Sequence, residues 1–350
     1  MLILRSPANN STFSILNPTQ KHFILNSKTS SQNAPENDPY PWLDISSEDD
    51  FNITKPACVI LRWENTSPMA KTDVHISTEP DFSSTAKSCT VSEIFYSAED
   101  DTYFTILTNL LSGTTYYWNV TCGDAVSETR SFSTVRGEMR TIRADGVDNV
   151  RDMGGRINVE GKAIRQGLIY RGGALNDLLL PECARLNGMG VMRDDLGIRT
   201  DIDLRWEAVG KYEFCPLGDH VAYHLFTLEA YDGIFSPGQE ALLKSIFELF
   251  AESENYPIYF HCVAGADRTG TVAFLLDGLL GMGDEEIILN YNMTAIGDRR
   301  YWYDNAAKML DILNERFPAT TLTEQAVMVL RSFGVSDETM AQIKRNLIEE

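Results

Sequence analysis

Hydrophobic positions in the first 136 or so residues fall in short alternating runs rather than at helical spacing. In Cys58-Val59-Ile60-Leu61-Arg62-Trp63 the alternation puts Val59, Leu61 and Trp63 on one face of a strand. Strand-like runs recur at Thr12 to Leu16, Leu111 to Val120 and Ser131 to Thr134. Ser6 to Ser11 is rich in turn residues, and the polar, proline-containing Ser27 to Asp50 reads as a long loop. Arg136 to Asp145 is charged and reads as a linker. Beyond it, short apolar strands alternate with segments of helical period, so an α/β unit should begin near residue 141. Pro237 to Glu252 spaces Leu242, Leu243, Ile246, Phe247 and Phe250 as the core face of a helix. Asp284 to Ala295 and Tyr301 to Phe317 read as further packing helices. The aromatic cluster of Tyr291, Tyr301, Trp302 and Tyr303 reads as packing rather than as a cleft lining.

One stretch interrupts this rhythm. Tyr256 to Phe260 is a compact apolar strand and Thr271 to Leu280 an apolar helix closed by Gly281. Between them lies His261-Cys262-Val263-Ala264-Gly265-Ala266-Asp267-Arg268-Thr269-Gly270. Strand, tight loop and helix is the layout in which backbone amides and a helix N-terminus converge on an anion. A thiol in such a ring has its pKa lowered, and an arginine there can fork onto two phosphate oxygens.

Composition narrows the options. The chain has 350 residues, a formal net charge of −20 and 6 cysteines. That charge speaks against nucleic acid and anionic membrane as partners. No run is long enough for a membrane span, and Met1 to Leu4 is too short for a signal-peptide core. The cysteines have no metal-site spacing. Cys58 and Cys122 could form an inter-sheet bridge, but Cys58 falls on the face opposite Trp63, which speaks against it.

The residues His261-Cys262, Gly265 and Arg268-Thr269-Gly270 resemble the signature loop of the cysteine-dependent tyrosine and dual-specificity phosphatases. With Asp267 directly before the arginine, the loop is similar to that of an atypical bacterial subgroup, although Ala266 stands where that subgroup usually has lysine. Asn149-Val150-Arg151-Asp152-Met153-Gly154-Gly155, Leu168 to Leu175, Thr200 to Glu207 and Leu330 to Lys344 resemble the subgroup in the same order. The resemblance implies a central sheet flanked by helices over residues 141–350. The strands around Tyr116 resemble a fibronectin type III module, which implies a β-sandwich over residues 1–136, with Tyr116 locking a strand corner.

For the site, the resemblance implies Cys262 as nucleophile and Arg268 with the amides of Val263, Ala264, Gly265, Ala266, Asp267 and Arg268 as phosphate cradle. Asp267 is the candidate general acid, there being no Trp-Pro-Asp in the chain. Thr269 would bond the sulfur, and His261 would support the cysteine. Asp203 closes an apolar strand and is either a second acid or a partner of Arg205 or Arg171. Arg151, Asp152 and Arg171 could form an ion-pair network under the loop, and Gly154 and Gly155 could serve a turn. No metal or cofactor is required.

The implied activity is phosphomonoester hydrolysis on a phosphorylated protein or small phosphoester. The alternatives are a phosphoinositide or inositol phosphate phosphatase, which the missing lysine at 266 weakens, and a catalytically silent phospho-ligand binding protein. Sulfur transfer is opposed by Arg268-Thr269-Gly270. The acidic, Ser/Asn-rich front half and the fibronectin-like reading favour an exported bacterial protein without its signal; a catalytic thiolate in an oxidising compartment speaks the other way.

Overall fold

The computed structural model describes residues 2–30, 55–65, 71–83, 88–91, 93–175, 188–206, 215–296 and 305–350. Contacts divide the chain into two compact units, Met1–Leu16 with Pro56–Arg140 and Asn17–Lys55 with Thr141–Glu350. Tyr301, Trp302, Tyr303 and the expected loop beyond Ser30 lie outside the described residues.

The first unit contains β1 (Leu2–Ser6), β2 (Ser11–Phe13), β3 (Val59–Asn65), β4 (Thr72–Ser77) and β5 (Ser88–Val91), followed by β6 (Phe95–Ser97), β7 (Thr102–Leu107), β8 (Thr115–Cys122), β9 (Ala125–Val126) and β10 (Arg130–Thr134). They form a sheet of order β1-β3-β7-β6 and another of order β2-β10-β8-β4-β5, with β9 on β8. Alternation holds in detail: Val59, Leu61 and Trp63 are buried and Ile60 is exposed. Residues of both sheets, among them Leu61, Trp63, Trp118 and Phe132, share one core. The Tyr116 hydroxyl accepts the Leu111 amide at 2.8 Å, which ties the turn before β8 to the strand itself. Cys58 is exposed, Cys122 is buried, and no disulfide joins them.

Helix α1 (Pro18–Ser30) groups with the second unit, although its sequence sits between strands of the first. It departs from the all-β expectation for residues 1–136, and only its last residues, from Ser27, fall in the expected loop; its weak amphipathic pattern gave no helical period to read. Its start is nevertheless written in the sequence. Asn17 Oδ1 accepts the Gln20 amide at 2.8 Å and Gln20 Oε1 accepts the Asn17 amide at 3.0 Å, a reciprocal cap with proline at the first helical position. Buried Gln20 also donates to Thr141 Oγ1 at 3.1 Å.

The expected linker is largely buried rather than solvated. Arg140 donates to the carbonyls of Leu110 and Asn109 in the first unit, while Ile142 and Ala144 belong to a core of the second. Charge alone suggested a linker; the apolar residues interleaved with it decide the outcome.

The second unit is built on β11 (Arg151–Asp152), β12 (Ile169–Gly172), β13 (Thr200–Asp203), β14 (Ala222–Leu225) and β15 (Ile258–His261). Their order is β11-β12-β15-β13-β14, with β11 antiparallel and the rest parallel. The inner strands β12, β13 and β15 are buried on both faces, as expected of parallel strands covered on each side. Ile169, Ile202, Ile258 and Phe260 face one core, Tyr170 and Tyr259 the other. Around the sheet lie α2 (Gln239–Ala251), α3 (Asp267–Leu279), α4 (Asp284–Asn292), α5 (Asn305–Arg316), α6 (Leu322–Ser332) and α7 (Asp337–Leu347). This is an α/β architecture with a central sheet flanked by helices. Among the described residues no helix is long and apolar enough to cross a membrane.

Replacing Tyr116 by Phe keeps the ring and strands the Leu111 amide. The expected loss is about 1–3 kcal/mol of stability, read by urea unfolding of the full chain. An unchanged midpoint would mean that the hydroxyl bond contributes nothing.

Candidate active site

Register brings the ends of the parallel strands to one level: Gly172 pairs with His261, His261 with Asp203, and Asp203 with Leu225. In open α/β sheets this is the edge where ligands sit. Cys262 is the first residue past the central strand and is 2 % exposed. Helix α3 begins at Asp267, four residues earlier than the apolar pattern indicated, so Asp267 and Arg268 form its first turn. No side chain caps that helix, which leaves its N-terminal amides for another acceptor.

The loop between strand and helix is held by its carbonyls. His261 O accepts the Leu204 amide at 2.8 Å, Cys262 O contacts His261 Nδ1 at 3.1 Å, and Val263 O accepts the Ala174 amide at 3.0 Å. Asn149 Nδ2 donates to the carbonyls of Ala264 and Gly265, both at 3.1 Å, and Arg171 Nη2 adds a bond to Gly265 O at 2.8 Å. Ala266 O accepts the Gly270 amide at 2.7 Å. Every carbonyl from His261 to Ala266 is therefore engaged, while among the described residues no backbone carbonyl accepts from the amides of Val263 to Ala266. Carbonyls turned outward leave amides turned inward, which is an anion nest. Gly265 makes this turn possible. Its φ is +66°, and a Cβ there would lie 2.4 Å from the backbone of Gly172.

Burial raises the Cys262 pKa, but the hydroxyl and amide of Thr269, the Arg268 charge and the Ala266 amide outweigh it and hold the thiol below its ordinary value. The Thr269 hydroxyl is buried without a partner in full hydrogen-bonding geometry, so the neighbouring sulfur is the acceptor available to it. Arg268 is half-buried, donates to Leu204 O at 3.3 Å and lies 5.5 Å from the ring centre of Trp206, which is 46 % exposed.

Asp267 is half-buried and accepts a short hydrogen bond from the Tyr231 hydroxyl. Burial raises its pKa above the usual carboxylate range, against the lowering effects of Tyr231, Arg268 and Lys308. Lys308 Nζ sits 5.4 Å over the Tyr231 ring. Asp203 differs. It is fully buried and grips Arg205 through Nε and Nη2 at 2.6–3.0 Å, and the Tyr223 hydroxyl adds a bond at 2.9 Å. Burial opposes its charge, but Arg205 and His261 hold its pKa below the ordinary carboxylate value. Of the two partners weighed for it, Arg205 is the one engaged.

His261 is fully buried. Its Nε2 lies 3.0 Å from Asp201 Oδ1, an ion-pair contact off the line of a hydrogen bond. Burial works against its charge, but Asp201, Asp203 and the Cys262 carbonyl raise its pKa overall. Asp152 is bonded to backbone amides. Its carboxylate accepts the amides of Gly154 and Gly167, both at 2.8 Å. Gly154 is required by close approach, since a Cβ would lie 2.2 Å from the Arg165 carbonyl oxygen, and Gly155 takes φ +85°. Asn149, Tyr231 and Trp206 had no local sequence signal as site residues; only the fold brings them to the loop. Among the described residues no group of metal-ligating side chains is present.

The chain is similar to known phosphatases. The family described as "Tyrosine phosphatase family" matches residues 142–350, more than half of the chain. A Cupriavidus necator protein named, by inference, a tyrosine-protein phosphatase is 27% identical over 173 residues, covering 42% of this chain and 60% of its own. A tyrosine-protein phosphatase of Nostoc commune is 42% identical over 52 residues, covering 15% of this chain and 18% of its own. The chain thus spans less than two thirds of either relative. The core catalytic domain of the PP-IP phosphatase SIW14 of S. cerevisiae aligns with a TM-score of 0.32 at 18% identity, over 49% of this chain and 93% of that one.

Alkylation of Cys262 by iodoacetate, followed against pH, should show a midpoint below about 8.5, the free-thiol value, with protection by phosphate or vanadate. A midpoint at or above that value would contradict an activated thiolate.

Proposed function

The chain belongs to the tyrosine phosphatase family, and from that premise we propose that it hydrolyses phosphomonoesters through a cysteinyl-phosphate on Cys262. The carrying observation is the placement of buried Cys262 between the end of β15 and the uncapped start of α3, in a loop whose carbonyls are all engaged, with Arg268 in the first turn of that helix. The thiolate attacks phosphorus in line, so an S–P bond forms as the ester P–O bond breaks. Arg268 and the loop amides hold the equatorial oxygens, whose charge is concentrated in the transition state. Asp267 gives its proton to the leaving oxygen, for which its raised pKa suits it. In the second step the Asp267 carboxylate takes a proton from water as that water attacks phosphorus. The S–P bond breaks, and the Thr269 hydroxyl eases the departure of the thiolate.

A phosphorylated protein side chain is the substrate class favoured, with phosphotyrosine first and dual specificity open. The half-exposed Trp206 flanks Arg268 as an aromatic wall. Ala266 is buried and uncharged, so the loop offers no added cation toward a second phosphate, which disfavours a phosphoinositide. The first unit fits a fibronectin type III-like module by its strand order and the Tyr116 bond.

Asp267→Asn should lower turnover about 10²–10⁴-fold for an ester with a strongly basic leaving group, and far less for an activated aryl phosphate. The basic limb of the pH–rate profile should flatten with it. Equal losses on both esters would show that Asp267 shapes the loop instead.

A further inference from the structure

Two arginines lie behind the loop, on the side away from the anion nest. Arg171 is fully buried in β12, and Arg151 is buried in β11 beside it. A buried guanidinium without a carboxylate is costly, and such groups are ordinarily paired. The third buried arginine of the region follows that rule, since Arg156 forks onto Asp277. Among the described residues Arg151 and Arg171 form no ion pair, and the Nε of each is buried without a partner. Their side-chain donors go to neutral acceptors. Arg171 Nη2 binds Gly265 O at 2.8 Å. Arg151 binds Asn149 Oδ1 through Nη1, and Asn290 O at 3.1 Å and Thr294 Oγ1 at 3.4 Å through Nη2.

Asn149 carries the arrangement on to the loop. Its φ is 60°, a left-handed conformation that asparagine tolerates better than most residues. With its Oδ1 held by Arg151, the amide group has one orientation, and its Nδ2 reaches both Ala264 O and Gly265 O. Sequence segments more than ninety residues upstream thus meet the loop at adjacent carbonyls.

We propose that Arg171, together with Asn149 as held by Arg151, is a positioning clamp: it fixes the carbonyls of Ala264 and Gly265 outward so that their amides face the phosphoryl group, and it supplies from beneath the loop the fixed positive charge that the Cys262 thiolate and the bound phosphate balance. This accounts for a buried cation with no carboxylate bonded to it: Asp277, whose charge also reaches it, is forked by Arg156, and the nucleophile and the substrate supply the remaining counter-charge. Burial lowers the Arg171 pKa to about 10, which leaves it charged at neutral pH, and Tyr291, Asp277 and Cys262 hold it up. The inference rests on the phosphatase reading, but its tests read thiol and anion directly.

The charged and titratable groups facing Cys262 are Arg268 on α3, Arg171 on β12, Tyr291 on α4 and His261 on its own strand. Replacing Arg171 alone therefore changes one cation among these. In the full chain, Arg171→Met should raise the iodoacetate midpoint of Cys262 by about 1–3 pH units. It should weaken protection by inorganic phosphate about tenfold or more. Arg171→Lys should restore most of the midpoint and little of the protection, because a point charge replaces a fork. A purely packing role would leave both readouts unmoved in any folded variant, and that result would overturn the proposal. Should Arg171→Met fail to fold, Asn149→Ala tests the other arm. It should weaken phosphate protection about tenfold with the midpoint nearly unchanged, and unaltered protection would overturn the clamp. The two readings fail separately. A wild type that binds phosphate but hydrolyses no ester removes the phosphatase reading and leaves the clamp. An Arg171→Met protein with normal midpoint, protection and turnover removes the clamp alone.

Discussion

Backbone amides can face an anion only if the carbonyls between them are held elsewhere, and the second unit is organised around that constraint. From His261 to Ala266 each carbonyl has its own donor, drawn in turn from the end of β13, the His261 ring, the segment after β12, Asn149, Arg171 and the first turn of α3. The order of the sheet follows from the same requirement. Placing β15 between β12 and β13 sets its loop against the ends of both neighbours, so one supplies Ala174 and Arg171 and the other Leu204. Small residues let the pieces approach, as where Gly265 lies on Gly172.

Electrostatics reinforces the geometry. Cys262 sits where burial alone would suppress its charge, yet Thr269, Arg268 and the Ala266 amide reverse the outcome. Asp267 is shifted the opposite way, because burial outweighs Tyr231, Arg268 and Lys308. Two groups one short loop apart are therefore pushed toward the protonation states a donor and a nucleophile need at neutral pH. Asp203, at the same sheet edge, is engaged by Arg205 through two guanidinium nitrogens.

How much of this was legible in the sequence depended on distance along the chain. Cys262, Arg268 and Asp267 stand within one loop, and the apolar runs around it predicted the strand and helix that carry it. Alternation placed Val59, Leu61 and Trp63 inside the first unit, and the phase of Cys58 spoke against a bridge to Cys122. Helix α1 was not legible by period, only by the reciprocal Asn17 and Gln20 cap. Asn149, Tyr231 and Trp206 could not be read as site residues, because their partners lie far away in sequence and only the parallel register brings them together. For Asp203 the two-residue spacing to Arg205 allowed either role, and burial decides it.

The central claim is that the phosphoryl group passes through the Cys262 sulfur. The most direct measurement is rapid quenching of the full chain into alkaline detergent during turnover of an aryl phosphate, followed by peptide mapping. The account predicts one phosphoryl group on the peptide containing Cys262 and none after Cys262→Ser. Sustained turnover with no phosphoryl group on that peptide would contradict it.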